Sequence, residues 1–105
     1  MKILFDQGTP APLRRVLAEH NVDTAFERGW ASLSNGDLLR TAEQDGYELF
    51  ITTDQQLHDQ QNLADRKMGI LVLMSTSWPL IQTRLDEIRQ AVSRISPGEY
   101  REILI

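Results

Sequence analysis

Three aspartates stand where a small chain could assemble an acidic site. Asp6 closes the apolar run Ile3-Leu4-Phe5, and Asp54 follows Leu49-Phe50-Ile51-Thr52-Thr53. Asp37 falls in the first turn of a helix announced by Ser34-Asn35-Gly36. Carboxylates forced together repel one another and raise each other's pKa unless a cation compensates them. Hard divalent ions such as Mg²⁺ or Mn²⁺ prefer an all-oxygen environment and keep waters able to attack a phosphodiester. The trio therefore points to metal-assisted phosphoryl chemistry, with all three aspartates as catalytic groups and metal ligands. Each also has a plainer reading. Asp6 before Gln7-Gly8-Thr9-Pro10 can organise a turn, Asp37 completes a capping box from Ser34, and Asp54 can cap a following helix.

The aspartates can meet only if particular elements carry them there. Short unbroken apolar runs alternating with helical periodicity predict an α/β domain with a mostly parallel sheet, a three-layer α/β/α sandwich over residues 1–105. Strands are expected at Ile3–Phe5, Val22–Phe26, Tyr47–Thr53 and Met68–Met74. The alternating tail Tyr100–Ile105 fits an edge strand. Thr9-Pro10 reads as N-cap and first residue of a helix with the stripe Leu13, Val16, Leu17. A second helix runs from Ser34 to Gly46, Gln55–Asp65 reads as a short polar helix or ordered loop, and a long helix starts near Ser77 with Ile81, Leu85, Ile88, Val92 and Ile95 at helical spacing. Parallel strands joined by right-handed crossovers wind a sheet in both directions, and ligands sit beyond the strand carboxyl ends where the order reverses. If the first and third strands are neighbours there, Asp6 and Asp54 face one crevice.

Composition narrows the partners. Eleven Lys and Arg against 15 Asp and Glu give a formal charge of −4, which argues against coating nucleic acid by bulk positive charge but not against meeting phosphate through a metal ion. Without cysteine there is no disulfide scaffold, zinc-thiolate site, iron–sulfur cluster or thiol nucleophile. No membrane-length apolar run or signal-peptide pattern is present, so a cytoplasmic protein is the expectation. Among weaker candidates, Arg28, Gln56 and His58 are placed as substrate-binding groups, each with a solvated surface position as its bland reading. The amide-rich stretch Gln55, Gln56, Gln60, Gln61 and Asn62 suits hydrogen bonds to bases or a tied-down loop. Trp78 before Pro79 packs at a helix entrance.

The opening Met1-Lys2-Ile3-Leu4-Phe5-Asp6, the helix start Asp37-Leu38-Leu39-Arg40-Thr41-Ala42 and the strand exit Ile51-Thr52-Thr53-Asp54 together resemble PIN-like domains. The likeness is to the short, reduced members related to the VapC toxins of bacterial toxin–antitoxin pairs, and it spans roughly residues 1–75. It implies a Mg²⁺- or Mn²⁺-dependent endoribonuclease acting on RNA, with a cognate antitoxin as a partner and a homodimer as one assembly to test. The family's acids fall on Asp6, Asp37 and Asp54, with Thr52 supporting them. Gln56 and Leu57 replace a further Asp and Phe common in the family, and Glu27 is the one candidate for a missing glutamate. Two other functions compete. A degenerate PIN-like module would act by protein binding, and a phosphoacceptor receiver domain would also place aspartates at strand ends. A receiver generally carries an acidic pair after its first strand and a lysine after a late one; here Gln7 follows Asp6, and Met74-Ser75-Thr76 follows the fourth strand.

Overall fold

A computed structural model describes residues 1–57 and 66–105. Five parallel strands form one sheet in the order β2-β1-β3-β4-β5: β1 Lys2–Phe5, β2 Asn21–Thr24, β3 Leu49–Thr52, β4 Gly69–Leu73 and β5 Tyr100–Ile103. The α/β class expected from the apolar runs is what the chain adopts, and the tail is indeed an edge strand. Strand β1 pairs with β2 on one side, Ile3 opposite Val22, and with β3 on the other, Ile3 opposite Leu49. The reversal of strand order therefore falls between β1 and β3, the strands that carry Asp6 and Asp54.

Alternation along each strand divides the core into two layers. Ile3, Phe5, Leu49, Ile51, Leu71 and Leu73 face helix α1 (Leu13–Val16), helix α3 (Trp78–Ile81) and helix α4 (Leu85–Arg94). Leu4, Phe50, Ile70 and Val72 face helix α2 (Asn35–Gln44), through Leu38, Leu39 and Ala42. The result is the α/β/α sandwich. Every residue of β3 and β4 is buried, which is why their sequences read as unbroken apolar runs rather than alternating ones.

Four expectations shift. The first helix is only Leu13–Val16, and Thr9 is not its N-cap, because the Thr9 hydroxyl is turned toward Asp6. Strand β2 stops at Thr24, and Phe26 is turned out to solvent. The long C-terminal helix is broken by a 3-10 turn at Gln82–Arg84, where the Thr83 hydroxyl donates to the Leu80 carbonyl at 2.6 Å and competes with the backbone ladder. The crossovers also do not share one hand. The β1–β2 and β4–β5 connections travel in opposite directions along the sheet, yet α1, α3 and α4 lie on the same face, so the β4–β5 crossover is opposite in hand to β1–β2. Burial explains the exception. The single-turn α1 buries only Leu13 there, and α4 adds Ile88, Ala91 and Val92 to the same cluster. Helix α2 behaves as read: Ser34 caps it by accepting from the Asp37 amide at 3.3 Å, and Gly46 leaves it at φ +87°. No helix among the described residues is long and apolar enough to cross a membrane.

Candidate acidic site at the strand reversal

Asp6 leaves β1 and turns back on itself. Its Oδ1 accepts from the Thr9 amide at 3.0 Å and from the Thr9 hydroxyl at 2.6 Å, and its Oδ2 accepts from the Thr52 hydroxyl. Gly8 lets this loop press against β3, because a Cβ there would sit 2.7 Å from Thr53 Oγ1. Thr52, fully buried at the end of β3, also accepts from the Asp54 amide at 3.0 Å. One hydroxyl thus ties both aspartates to the same strand end. Asp54 in turn accepts from the Asn35 side-chain amide at 2.9 Å on Oδ2 and from the Gln56 backbone amide at 3.0 Å on Oδ1.

Burial pushes the Asp6 carboxyl above its usual range; the hydroxyls of Thr52 and Thr9 and the Thr9 amide oppose that shift, and the charge of Asp54 reinforces it. The two acids are therefore near enough to feel one another. Among the described residues no basic side chain pairs with either.

Asp37 does not join them. Its carboxylate pairs with Arg40 one turn along α2, and its side chain is 54% exposed. Among the described residues no three acidic or imidazole groups lie close enough to share a metal ion. The expected trio is a pair, and the reason is helical phase. With Ser34 as N-cap, the α2 residue turned toward Asp54 is Asn35, two positions before Asp37. The sequence offered Asn35 only as part of a cap. Arg28 is likewise occupied elsewhere. Its guanidinium bonds the Tyr47 hydroxyl at 3.0 Å and Asp45 at 2.8 Å, and stacks 4.5 Å over Trp30. Gln56 touches the site through its backbone amide. His58, and with it most of the Gln55–Asp65 stretch, lies outside the described residues.

Thr9, Asn35 and Trp30 are the site residues that the sequence did not single out. Thr9 had a signal, since Asp-x-x-Thr is the spacing at which a carboxylate collects a backbone amide and a hydroxyl three residues on. Asp6 lines a cavity of about 200 Å³ together with Gln7, Trp30, Ala31, Leu33, Asn35 and Leu38.

The pair suits a hard divalent cation in a reduced way. An ionised carboxylate has about four acceptor positions; Thr9 fills Asp6 Oδ1, while among the described residues Asp6 Oδ2 and each Asp54 oxygen accept one bond apiece. Such ligation is short of a closed protein cage, but Mg²⁺ is commonly held by one or two carboxylates together with waters and substrate phosphate. Comparison with known protein families, with characterised proteins and with solved structures returns no match.

Proposed function

We propose that the chain is a Mg²⁺- or Mn²⁺-dependent endoribonuclease of PIN-like type whose centre is the Asp6–Asp54 pair. The observation that carries this reading is the convergence of two strand-end carboxylates at the sheet's reversal point without a basic partner among the described residues. Two carboxylates with no cationic partner among the described residues, one raised in pKa by burial, favour a cation between them. When bound there, a divalent ion supplies an acidified water and polarises a phosphoryl oxygen. The chain's own residues hold the acids in place: Thr9 and Thr52 fix the Asp6 carboxylate, and Asn35 and the Gln56 amide fix that of Asp54. In hydrolysis a water oxygen bonds to phosphorus as the bond to a ribose oxygen breaks. The water gives up a proton to an Asp54 oxygen or to solvent, and the leaving oxygen takes one up. The resemblance to VapC relatives extends the proposal to a cytoplasmic toxin with an antitoxin partner.

Incubating an RNA pool with the purified chain and Mn²⁺ tests this. Cleavage is expected, with at least a hundredfold loss in Asp6→Asn and Asp54→Asn; wild-type cutting by both variants would end the proposal. A second reading, a non-catalytic module acting by protein binding, draws on Asn35 standing where a third acid was expected. Calorimetry with Mn²⁺ separates the two, since the nuclease reading requires an ion at the pair and the module does not.

A further inference from the structure

We propose that the cavity beside Asp6 is a pocket for one nucleobase of a single-stranded substrate, with the Trp30 indole as its stacking surface. The choice of nucleic acid rests on the ribonuclease reading; the pocket itself rests on its walls. At about 200 Å³ it is smaller than the roughly 300–1,000 Å³ of drug-sized sites, with room for a single ring system. Trp30, Ala31 and Leu33 line it together with the polar residues Asp6, Gln7 and Asn35. This mixture suits a heterocycle that is apolar on its faces and hydrogen-bonding at its edge.

The indole is already in position. The Arg28 guanidinium lies 4.5 Å over the ring, and Tyr47 meets it at 6.0 Å and an interplanar angle of 80°. Tyr47 is locked in turn, donating to Asp23 at 2.6 Å and lying under the Lys2 ammonium at 4.4 Å. A surface ordered before binding loses little freedom when a base settles on it. Location completes the argument. Asp6 and Asn35 belong both to the cavity and to the acid pair, so a base seated here carries its phosphate to the carboxylates. Only an unstacked base can enter, which selects single strands.

The chain has two tryptophans, so a Trp78→Phe background makes Trp30 the only reporter. Its fluorescence is titrated with the four ribonucleosides and with a short single-stranded oligoribonucleotide. Saturable quenching by at least one nucleoside and tighter binding of the oligomer are expected. Ala31→Leu, which fills the cavity without touching the carboxylates, should weaken both about tenfold, the scale of one base–aromatic stack; if it misfolds, the smaller Ala31→Val reads the same way. No quenching, quenching undiminished in the folded filling variant, or nucleoside binding without oligomer binding would overturn the proposal. The two readings fail separately. Quenching without RNA cleavage leaves the pocket standing and removes the nuclease, and cleavage without quenching does the reverse.

Discussion

Thr52→Val tests whether one buried hydroxyl holds the acid pair together. Valine keeps the β-branched shape that the end of β3 accommodates, so packing is nearly conserved and the change is in hydrogen bonding. Two bonds disappear. The bond from Thr52 to the Asp6 carboxylate is charge-assisted, worth ~1.5–3 kcal/mol, and the Asp54 amide loses its acceptor, a further ~1 kcal/mol for a half-buried donor. The expected cost is about 3 kcal/mol at pH 7. At a urea slope of ~1.5 kcal/mol/M that lowers the unfolding midpoint by about 2 M. The partner is identified by a double-mutant cycle. In an Asp6→Asn background the first bond becomes neutral and worth ~1 kcal/mol, so the two sites should couple by ~0.5–2 kcal/mol. Thr52→Ser, which keeps the hydroxyl and loses a methyl, should fall near 1 kcal/mol. A cost for Thr52→Val below ~1 kcal/mol, or an equal cost in both backgrounds, refutes the reasoning.

Asp6→Asn should melt at or above the wild-type temperature at pH 7. The net direction of the Asp6 shift is upward, so the fold disfavours the charge even after its hydrogen bonds are counted, and the wild type loses stability relative to the variant as pH rises from the unfolded value near ~4 through the raised folded value. A gap that widens with pH in favour of the wild type contradicts this. Tyr47 is pushed up to about 12, first by burial and then by its bond to Asp23. The folded chain therefore keeps that proton more firmly, and about 3 kcal/mol of stability should drain away between pH ~10 and ~12, and not in Tyr47→Phe. Phenolate titration by absorbance checks it, and a midpoint near 10 for both tyrosines would contradict it. Asp37→Asn removes an exposed one-turn ion pair and a helix-start charge, a loss under about 1 kcal/mol. Its Mn²⁺ affinity by calorimetry should stay within twofold of the wild type, and a larger loss would return Asp37 to the site.

What the sequence made legible was local and repetitive. The runs Ile3–Phe5, Tyr47–Thr53 and Met68–Met74 announced strands whose central residues are buried, because both faces of a central parallel strand are apolar. Their exits located Asp6 and Asp54 because a strand ends where polarity resumes. Helix α2 was legible at both ends through Ser34 and Gly46. Where an effect depended on distant residues, reading failed. Nothing in Thr83 alone says that its hydroxyl will loosen a helix, and nothing near Ser77 says which face of the sheet lacks cover. The Asp37 expectation failed by angle rather than by position. The acid does sit in the first turn at the correct end of the sheet, but two residues along a helix is about 200° of rotation, enough to exchange a crevice for solvent. Arg28 failed for another reason, since an arginine's partners are set by whatever aromatic and acidic groups the fold brings to it, here Tyr47, Trp30 and Asp45.

Replacing a third carboxylate by Asn35 alters what the crevice can attract. On the proposed reading, two ionised aspartates and one divalent cation sum to zero, whereas three aspartates would leave a net negative charge facing the phosphate they must receive. On a chain of formal charge −4 that difference matters, because like-charge repulsion at contact distance is only partly screened in a half-buried cleft. Asn35 still orients Asp54 through its amide and adds no charge. The arrangement thus exchanges cation affinity for tolerance of an anionic substrate, and the exchange is measurable. Asn35→Asp should tighten Mn²⁺ binding while weakening RNA binding at the same Mn²⁺ occupancy, with opposite signs in calorimetry and in a filter-binding assay. If both affinities moved together, charge balance would not be what the amide provides, and its role would reduce to holding Asp54 in place.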